Sequence, residues 1–294
     1  MLKGFCIVNK PIGITSFDTI KKIKKHFREE YNIIEKRVGH VGTLDPFADG
    51  VLILAFGRYT KLFFLFDDMP KEYIAEGVFG ESRDTDDVEG KVLAVSDYKN
   101  ILSFEELDKL IKTNFSGNII QKPPIYSAKK INGKRAYDMA RANEKFELKS
   151  VNVCINNIEL LEYNYPYFKI KTSVSKGTYI RSIIRDIGII TNNLAYTKSL
   201  TRYSIGEYNI NMASNIENIN CDNILSFSDM FKDLDNVVIK DRETIKQILC
   251  GNTKMIESIE IKNKYLVLND ENNELIAVIT NDSDKKNTYS FINI

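Results

Sequence analysis

No apolar run in this chain reaches membrane-spanning length. The opening MLKGFCIVNKPIG holds an apolar stretch too short and too interrupted for a secretory leader, so a cytoplasmic protein is expected. Cysteine is scarce. Cys6, Cys154, Cys221 and Cys250 stand far apart without a C-x-x-C pair, which argues against a disulfide framework or thiolate metal site and leaves buried free thiols. His26 and His40 are the only histidines, so a histidine-rich metal centre or a two-histidine relay is nearly excluded. Internal repeats and low-complexity tracts are missing too.

What is present is an ordinary globular composition, 43% hydrophobic and 28% charged over 294 residues. That length favours one large domain plus a small one. The net charge of +1 hides an uneven distribution: +5 over residues 1–61, −7 over 62–116, +9 over 117–205 and −6 over 206–294. Two basic blocks that converge in space would make an anion-binding face, and nucleic acid is the obvious polyanion. The plain alternative is a solvated surface of alternating charge.

A first strand is expected in FCIVN, then a turn at Lys10-Pro11 and Gly13. Thr15 or Ser16 can cap a helix with Phe17, Ile20, Ile23 and Phe27 on its apolar side and Lys21, Lys22, Lys24 and Lys25 opposite. VLILAF (51–56) reads as a buried strand and KEYIAEGVFG (71–80) as a half-exposed one. Residues 103–115 and 133–146 read as helices, 152–163 and 167–176 as strands, and 178–193 as a helix. Past Tyr208 an Asn-rich stretch leads to a strand-rich tail with a small helix at 241–249. The expected fold is α+β, with a large mixed, mainly antiparallel sheet and flanking helices over residues 1–235. A small β-rich domain follows over 236–294.

Residues 38–62, VGHVGTLDPFADGVLILAFGRYTKL, raise the functional question. A glycine-rich turn with an Asp-Pro step is often only a turn. The loop lacks the G-x-x-x-x-G-K-[ST] of a phosphate-binding P-loop. Asp45 and Asp49 sit on one loop, and four residues apart is weak geometry for a glycosidase pair. The acidic run at 84–90 misses calcium-loop spacing and reads as a structural turn near the rim of a site.

The whole stretch, however, resembles the catalytic motif of the TruB-type bacterial tRNA pseudouridine synthases. Gly39-His40-Val41-Gly42-Thr43-Leu44-Asp45-Pro46, Ala48-Asp49-Gly50-Val51-Leu52 and Gly57-Arg58-Tyr59-Thr60-Lys61-Leu62 carry the likeness. So do Lys10-Pro11-Ile12-Gly13, Lys71-Glu72-Tyr73, Asp84-Thr85-Asp86-Asp87 with Gly90, Gln121 to Ala128, and Ser175-Lys176-Gly177-Thr178-Tyr179-Ile180-Arg181-Ser182. The matches run in order over residues 9–202. Val41, Phe47 and Arg185 depart from the usual pattern without touching the chemistry. The C-terminal module is similar to a PUA-type RNA-binding domain by position and texture alone.

The resemblance implies a tRNA pseudouridine synthase of the pseudouridine synthase fold. It would flip the T-loop uridine numbered 55 into a pocket, break the glycosidic bond and rejoin uracil through C5, with no cofactor and no metal. Asp45 would be the essential carboxylate, either attacking sugar or base covalently or taking a proton from C2′. Arg181 would hold it ionised. Tyr73 would stack on the uracil, Tyr179 would touch it from another side, and His40 would hold the RNA loop open. Leu200 would line the pocket. Lys10, Lys61, Lys130, Arg141 and Lys176 are candidates for phosphate contacts. The expected partner is the T-arm of tRNA, with no membrane, no protein partner, and the chain itself a monomer. A tRNA-folding chaperone that needs no catalysis is the alternative, and a nucleoside hydrolase a third reading.

Overall fold

Strand β1 (Gly4–Lys10) is buried except at Asn9. Phe5 and Ile7 enter one core cluster, Cys6 and Val8 another, the alternation of a strand covered on both faces. Helix α1 (Ser16–Tyr31) starts with a capping box. The Thr15 hydroxyl accepts from the Asp18 N–H, and the Asp18 carboxylate accepts from the Thr15 N–H. Ile20, Ile23 and Phe27 are buried as expected, but Phe17 is 61% exposed. The buried stripe continues through Thr19 to the small Ser16, and Phe17 lies about 100° further round the helix, toward solvent.

The computed structural model describes residues 2–96, 101–127, 129–131, 133–142, 144, 146, 148–281 and 286–293. After α1 come β2 (Val38–Val41), β3 (Asp49–Phe56), a ten-residue 3-10 helix over Gly57–Phe66, and β4 (Lys71–Phe79). The acidic turn lies between β5 (Glu81–Arg83) and β6 (Val92–Val95). Helix α2 (Phe104–Asn114), capped by Ser103 and Glu106, leads to β7 (Gly117–Gln121). Residues 133–146 are not one helix. Gly133, at φ +87, turns β8 (Lys130–Ile131) into β9 (Lys134–Arg135), and only α3 (Ala136–Arg141) is helical. Then follow β10 (Val151–Asn164), β11 (Tyr167–Val174), α4 (Ile180–Ile190), β12 (Ala195–Ile205) and β13 (Tyr208–Asn209). The tail holds α5 (Phe227–Met230), β14 (Asn236–Val238), α6 (Arg242–Leu249), β15 (Leu266–Asn269), β16 (Leu275–Asn281) and β17 (Asn287–Ile292).

Among the described residues the large sheet has nine strands in the order β1-β3-β12-β4-β11-β10-β7, with β2 on β3 and β13 on β12. Its described pairs are antiparallel except β3 with β12. One edge of β3 belongs to β1 throughout. The other changes partner, pairing with β2 over Ile53–Phe56 and with β12 at Asp49 and Gly50. The loop between β2 and β3 leaves the sheet at this fork.

Helix α4 covers one face, where Ile180, Ile183, Ile184 and Ile187 share a cluster with Ala75, Phe168, Ile170 and Leu200. Leu44 and Phe47 from the loop join the same cluster. The four-stranded sheet β14-β15-β16-β17 sends Val267, Leu275, Val278 and Phe291 into the cluster of Phe5, Phe66 and Phe231.

Candidate active site

The loop that carries Asp45 is pinned at both ends and in the middle. Gly42 has φ +63, and its carbonyl accepts from Arg202 Nη2 at 3.0 Å. Arg202 Nε donates to the Val51 carbonyl at 2.7 Å, so one buried guanidinium grips the loop before and after the aspartate. At Gly50 a Cβ would stand 2.3 Å from the Arg202 carbonyl oxygen, so only glycine lets β3 and β12 meet there. In the middle, Ser16 Oγ accepts from the Leu44 N–H at 2.9 Å and donates to its carbonyl at 3.2 Å. The Gly13 N–H donates to the Pro46 carbonyl at 2.8 Å.

Lys10 belongs to this scaffold and not to an RNA surface, which corrects the expectation of a phosphate contact. Its side chain is fully buried. Its ammonium donates to the carbonyls of Pro11 at 2.8 Å, Ile14 at 2.7 Å and Pro46 at 3.5 Å. Burial pushes its pKa down to about 8, with Asp49 and Asp45 opposing.

Arg181 lies in the first turn of α4, 4% exposed. All four of its Nη protons are used. Nη2 donates to Asp45 Oδ1 at 3.3 Å and Nε stands 2.9 Å from Asp45 Oδ2, a two-pronged ion pair with the carboxylate. The second Nη2 proton goes to the Tyr126 carbonyl at 2.9 Å. Nη1 donates to the Thr85 carbonyl at 2.7 Å and to Asp87 Oδ2 at 3.0 Å. The Asp45 side chain remains 35% exposed, so the carboxylate is held on one side and open on another. Burial pushes its carboxyl above the ordinary carboxylate range; Arg181 pulls it down, Asp87 adds to the rise and Lys10 opposes it.

Asp87 was not singled out by the sequence. It is buried, and its Oδ1 accepts from Thr85 Oγ1 at 2.6 Å and from the Glu89 N–H at 3.0 Å. The acidic turn is therefore part of the site. Arg185, a departure from the usual pattern, fastens the same turn: it pairs with Asp86 and Asp186 at 2.9 Å and donates to the Lys122 carbonyl. A signal existed, since an acidic motif and two arginines four apart lie on segments that both carry the family likeness.

Tyr179 is the N-cap residue of α4. Its N–H donates to Gln121 Oε1 at 2.8 Å, and Gln121 Nε2 donates back to its carbonyl at 3.0 Å. Burial pushes the Tyr179 phenol up, opposed by the neighbouring Ser127 hydroxyl and Arg181. Tyr73 sits on β4 opposite Arg202, and Leu200 on β12 opposite Ala75, which puts both side chains on one face of the sheet. Tyr73 packs against the cluster that holds Leu44, Phe47 and Leu200. His40, half-buried on β2, is pushed down in pKa by burial and then by Arg202, and stays neutral at physiological pH. Its Nδ1 is buried without a hydrogen-bond partner among the described residues. Lys61 is exposed, and Lys176 is exposed in a pair with Asp67 at 2.7 Å. The side chains of Lys130 and Arg141 lie outside the described ones.

One chain of the solved complex of Cbf5, Nop10 and Gar1 superposes on this fold with a TM-score of 0.70, at 21% identity, over 99% of this chain and 84% of that one. A chain of an H/ACA ribonucleoprotein bound to a substrate RNA containing 2′-deoxyuridine superposes with a TM-score of 0.68, at 20% identity, over 99% and 84% of the two chains. The architecture is thus the pseudouridine synthase fold. The family model of the TruB pseudouridylate synthase N-terminal domain matches residues 28–180. The tRNA pseudouridine synthase B of Borreliella burgdorferi (strain ZS7) is 38% identical, with 95% of each chain covered. That of Parabacteroides distasonis is 42% identical over 72% of this chain and 89% of its own. The chain belongs to the TruB family of pseudouridylate synthases.

Proposed function

We propose that this chain isomerises uridine to pseudouridine in tRNA, acting in the cytoplasm as a monomer on the T-arm, at position 55. The observation that carries the reading is the Asp45 carboxylate, paired with a buried Arg181 and open on its other side. A base can reach such a carboxylate only after leaving its stack, so the uridine enters flipped. Asp45 acts ionised, on sugar, base or the C2′ proton. Arg181, its four Nη protons engaged within the protein, serves to position and charge-balance Asp45. Tyr73 stacks on the uracil, Tyr179 and Leu200 bound it, and His40, neutral, fills the space the base vacates. Lys61 and Lys176 hold phosphates, together with Lys130 and Arg141. Residues 1–235 form the catalytic unit, and 236–294 a small RNA-binding module of PUA type.

The test is tritium release from an unmodified tRNA transcript labelled at uracil C5, since isomerisation must expel that hydrogen. Wild type releases tritium; Asp45→Asn binds tRNA and releases none. Tight binding without release by wild type would instead favour the chaperone reading.

A further inference from the structure

The outward side of α1 is used by nothing described so far. Phe17, Lys21, Lys24 and Arg28 recur at i, i+4, i+7 and i+11 and form one stripe, with Lys25 beside it. Phe17, Lys21, Lys25 and Arg28 are exposed. The Lys21 ammonium stands 4.8 Å from the centre of the Phe17 ring. Further along, Lys21, Lys24, Lys25, Arg28 and Lys36 line an open groove of about 480 Å³ beside the exposed Ile34. The acids lining this groove are Glu29 and Glu35. Asp18 pairs with Lys21 at 3.0 Å and Glu29 with Lys25 at 3.9 Å, exposed pairs that an incoming polyanion can displace. Arg28 and Lys36 have no ion-pair partner among the described residues.

The stripe is tied to the chemistry. Ser16, one residue before Phe17, is bonded through its hydroxyl to both backbone groups of Leu44, the neighbour of Asp45. From there to Arg28 the helix runs about 18 Å. An exposed aromatic ring followed by a row of cations, starting beside a pocket for a flipped base, matches the stacking platform and electrostatic groove by which proteins hold unpaired nucleic acid.

We propose that this stripe is a second RNA contact. Phe17 stacks on an unpaired base of the tRNA, and Lys21, Lys25 and Arg28 hold the phosphates that run on from it. The inference rests on the function proposed above. Three variants of the full chain test it: Phe17→Ser, the triple Lys21→Gln/Lys25→Gln/Arg28→Gln, and the charge-keeping Lys21→Arg/Lys25→Arg. The readouts are Kd for an unmodified tRNA transcript over a salt series, and KM and kcat for pseudouridine formation. The triple variant raises Kd and KM about tenfold, lowers the log Kd against log salt slope by about two to three, and leaves kcat unchanged. Phe17→Ser raises Kd about fivefold with the slope unchanged. The charge-keeping variant matches wild type. A triple variant with wild-type Kd and slope, in a series whose wild type is active, overturns this inference alone. A wild type that neither binds tRNA nor forms pseudouridine overturns the underlying function and this inference with it.

Discussion

At the scale of single residues the site turns on one guanidinium shared between two carboxylates. Arg181 balances Asp45, which is partly open, and Asp87, which is not. Removing it leaves a buried acid without a counter-ion. Arg181→Ala should cost about 3–5 kcal/mol of stability. Urea denaturation followed by circular dichroism suits a chain without tryptophan. A cost under about 1 kcal/mol would contradict the pairing. The raised pKa of Asp45 sets the pH behaviour. The folded carboxyl keeps a proton that the unfolded chain has already released. Its ionisation therefore lowers stability as pH rises from the ordinary carboxylate range to the folded value. Activity runs the other way, because the working form is ionised. The pH profile of kcat/KM should show an acid limb above the usual carboxylate range, and Arg181→Lys should move it higher by loosening the two-pronged grip. A limb that stays put would remove Arg181 from the control of Asp45. The pairing of Asp45 with Arg181 was legible because both sit inside matched motifs. Asp87 and Arg202 were equally inside them, but their jobs depend on contacts 94 and 151 residues away, which a linear reading does not display. Lys10 misled for the opposite reason: a lysine next to a Lys-Pro turn looks exposed until the Pro46 loop closes over it.

At the scale of elements, the fork in the large sheet sets the position of the catalytic loop. β3 gives up β2 and takes β12 within a few residues, and Gly50 makes the exchange possible. Gly50→Ala combines a φ of +100 with a Cβ against the Arg202 carbonyl. It should destabilise the protein by more than about 1 kcal/mol and lower kcat with it. Gly133→Ala, also at positive φ but with open space around its Cβ, should cost less. Equal losses would show that backbone conformation, and not the β3–β12 approach, decides. Long periodic elements were legible in advance: α2, β3, β4 and α4 fall where apolar spacing puts them. The shorter α3 was not, because Lys134 and Arg135 suit helix and strand alike and the hairpin turn at Gly133 decides. Phe17 was misplaced because hydrophobicity pointed inward, whereas the buried stripe prefers the small Ser16 against the loop backbone.

At the scale of the whole molecule, the two basic blocks do meet, since β1 and β3 of the first lie in one sheet with β10, β11 and β12 of the other. Part of their excess never reaches the surface: Lys10, Arg181 and Arg202 are buried on internal acceptors. A count of charges by segment therefore overstates the outer field. The C-terminal sheet also does more than follow the large one, because Val267, Leu275, Val278 and Phe291 complete the cluster around Phe5 and Phe66. A chain ending at residue 235 should show a clearly lower thermal midpoint or aggregate, since each large apolar group uncovered forfeits about 1.5–3 kcal/mol. An unchanged midpoint would make residues 1–235 self-sufficient. The parallel meeting of β3 with β12 has a consequence for biosynthesis. Residues 38–62 leave the ribosome carrying the catalytic-loop motif, yet the arginine that pairs with Asp45 is made 136 residues after it and the arginine of the anchoring strand 151 residues after Val51. A nascent chain released before Arg181 carries the Asp45 motif but lacks both the arginine that pairs with Asp45 and the strand that anchors its loop.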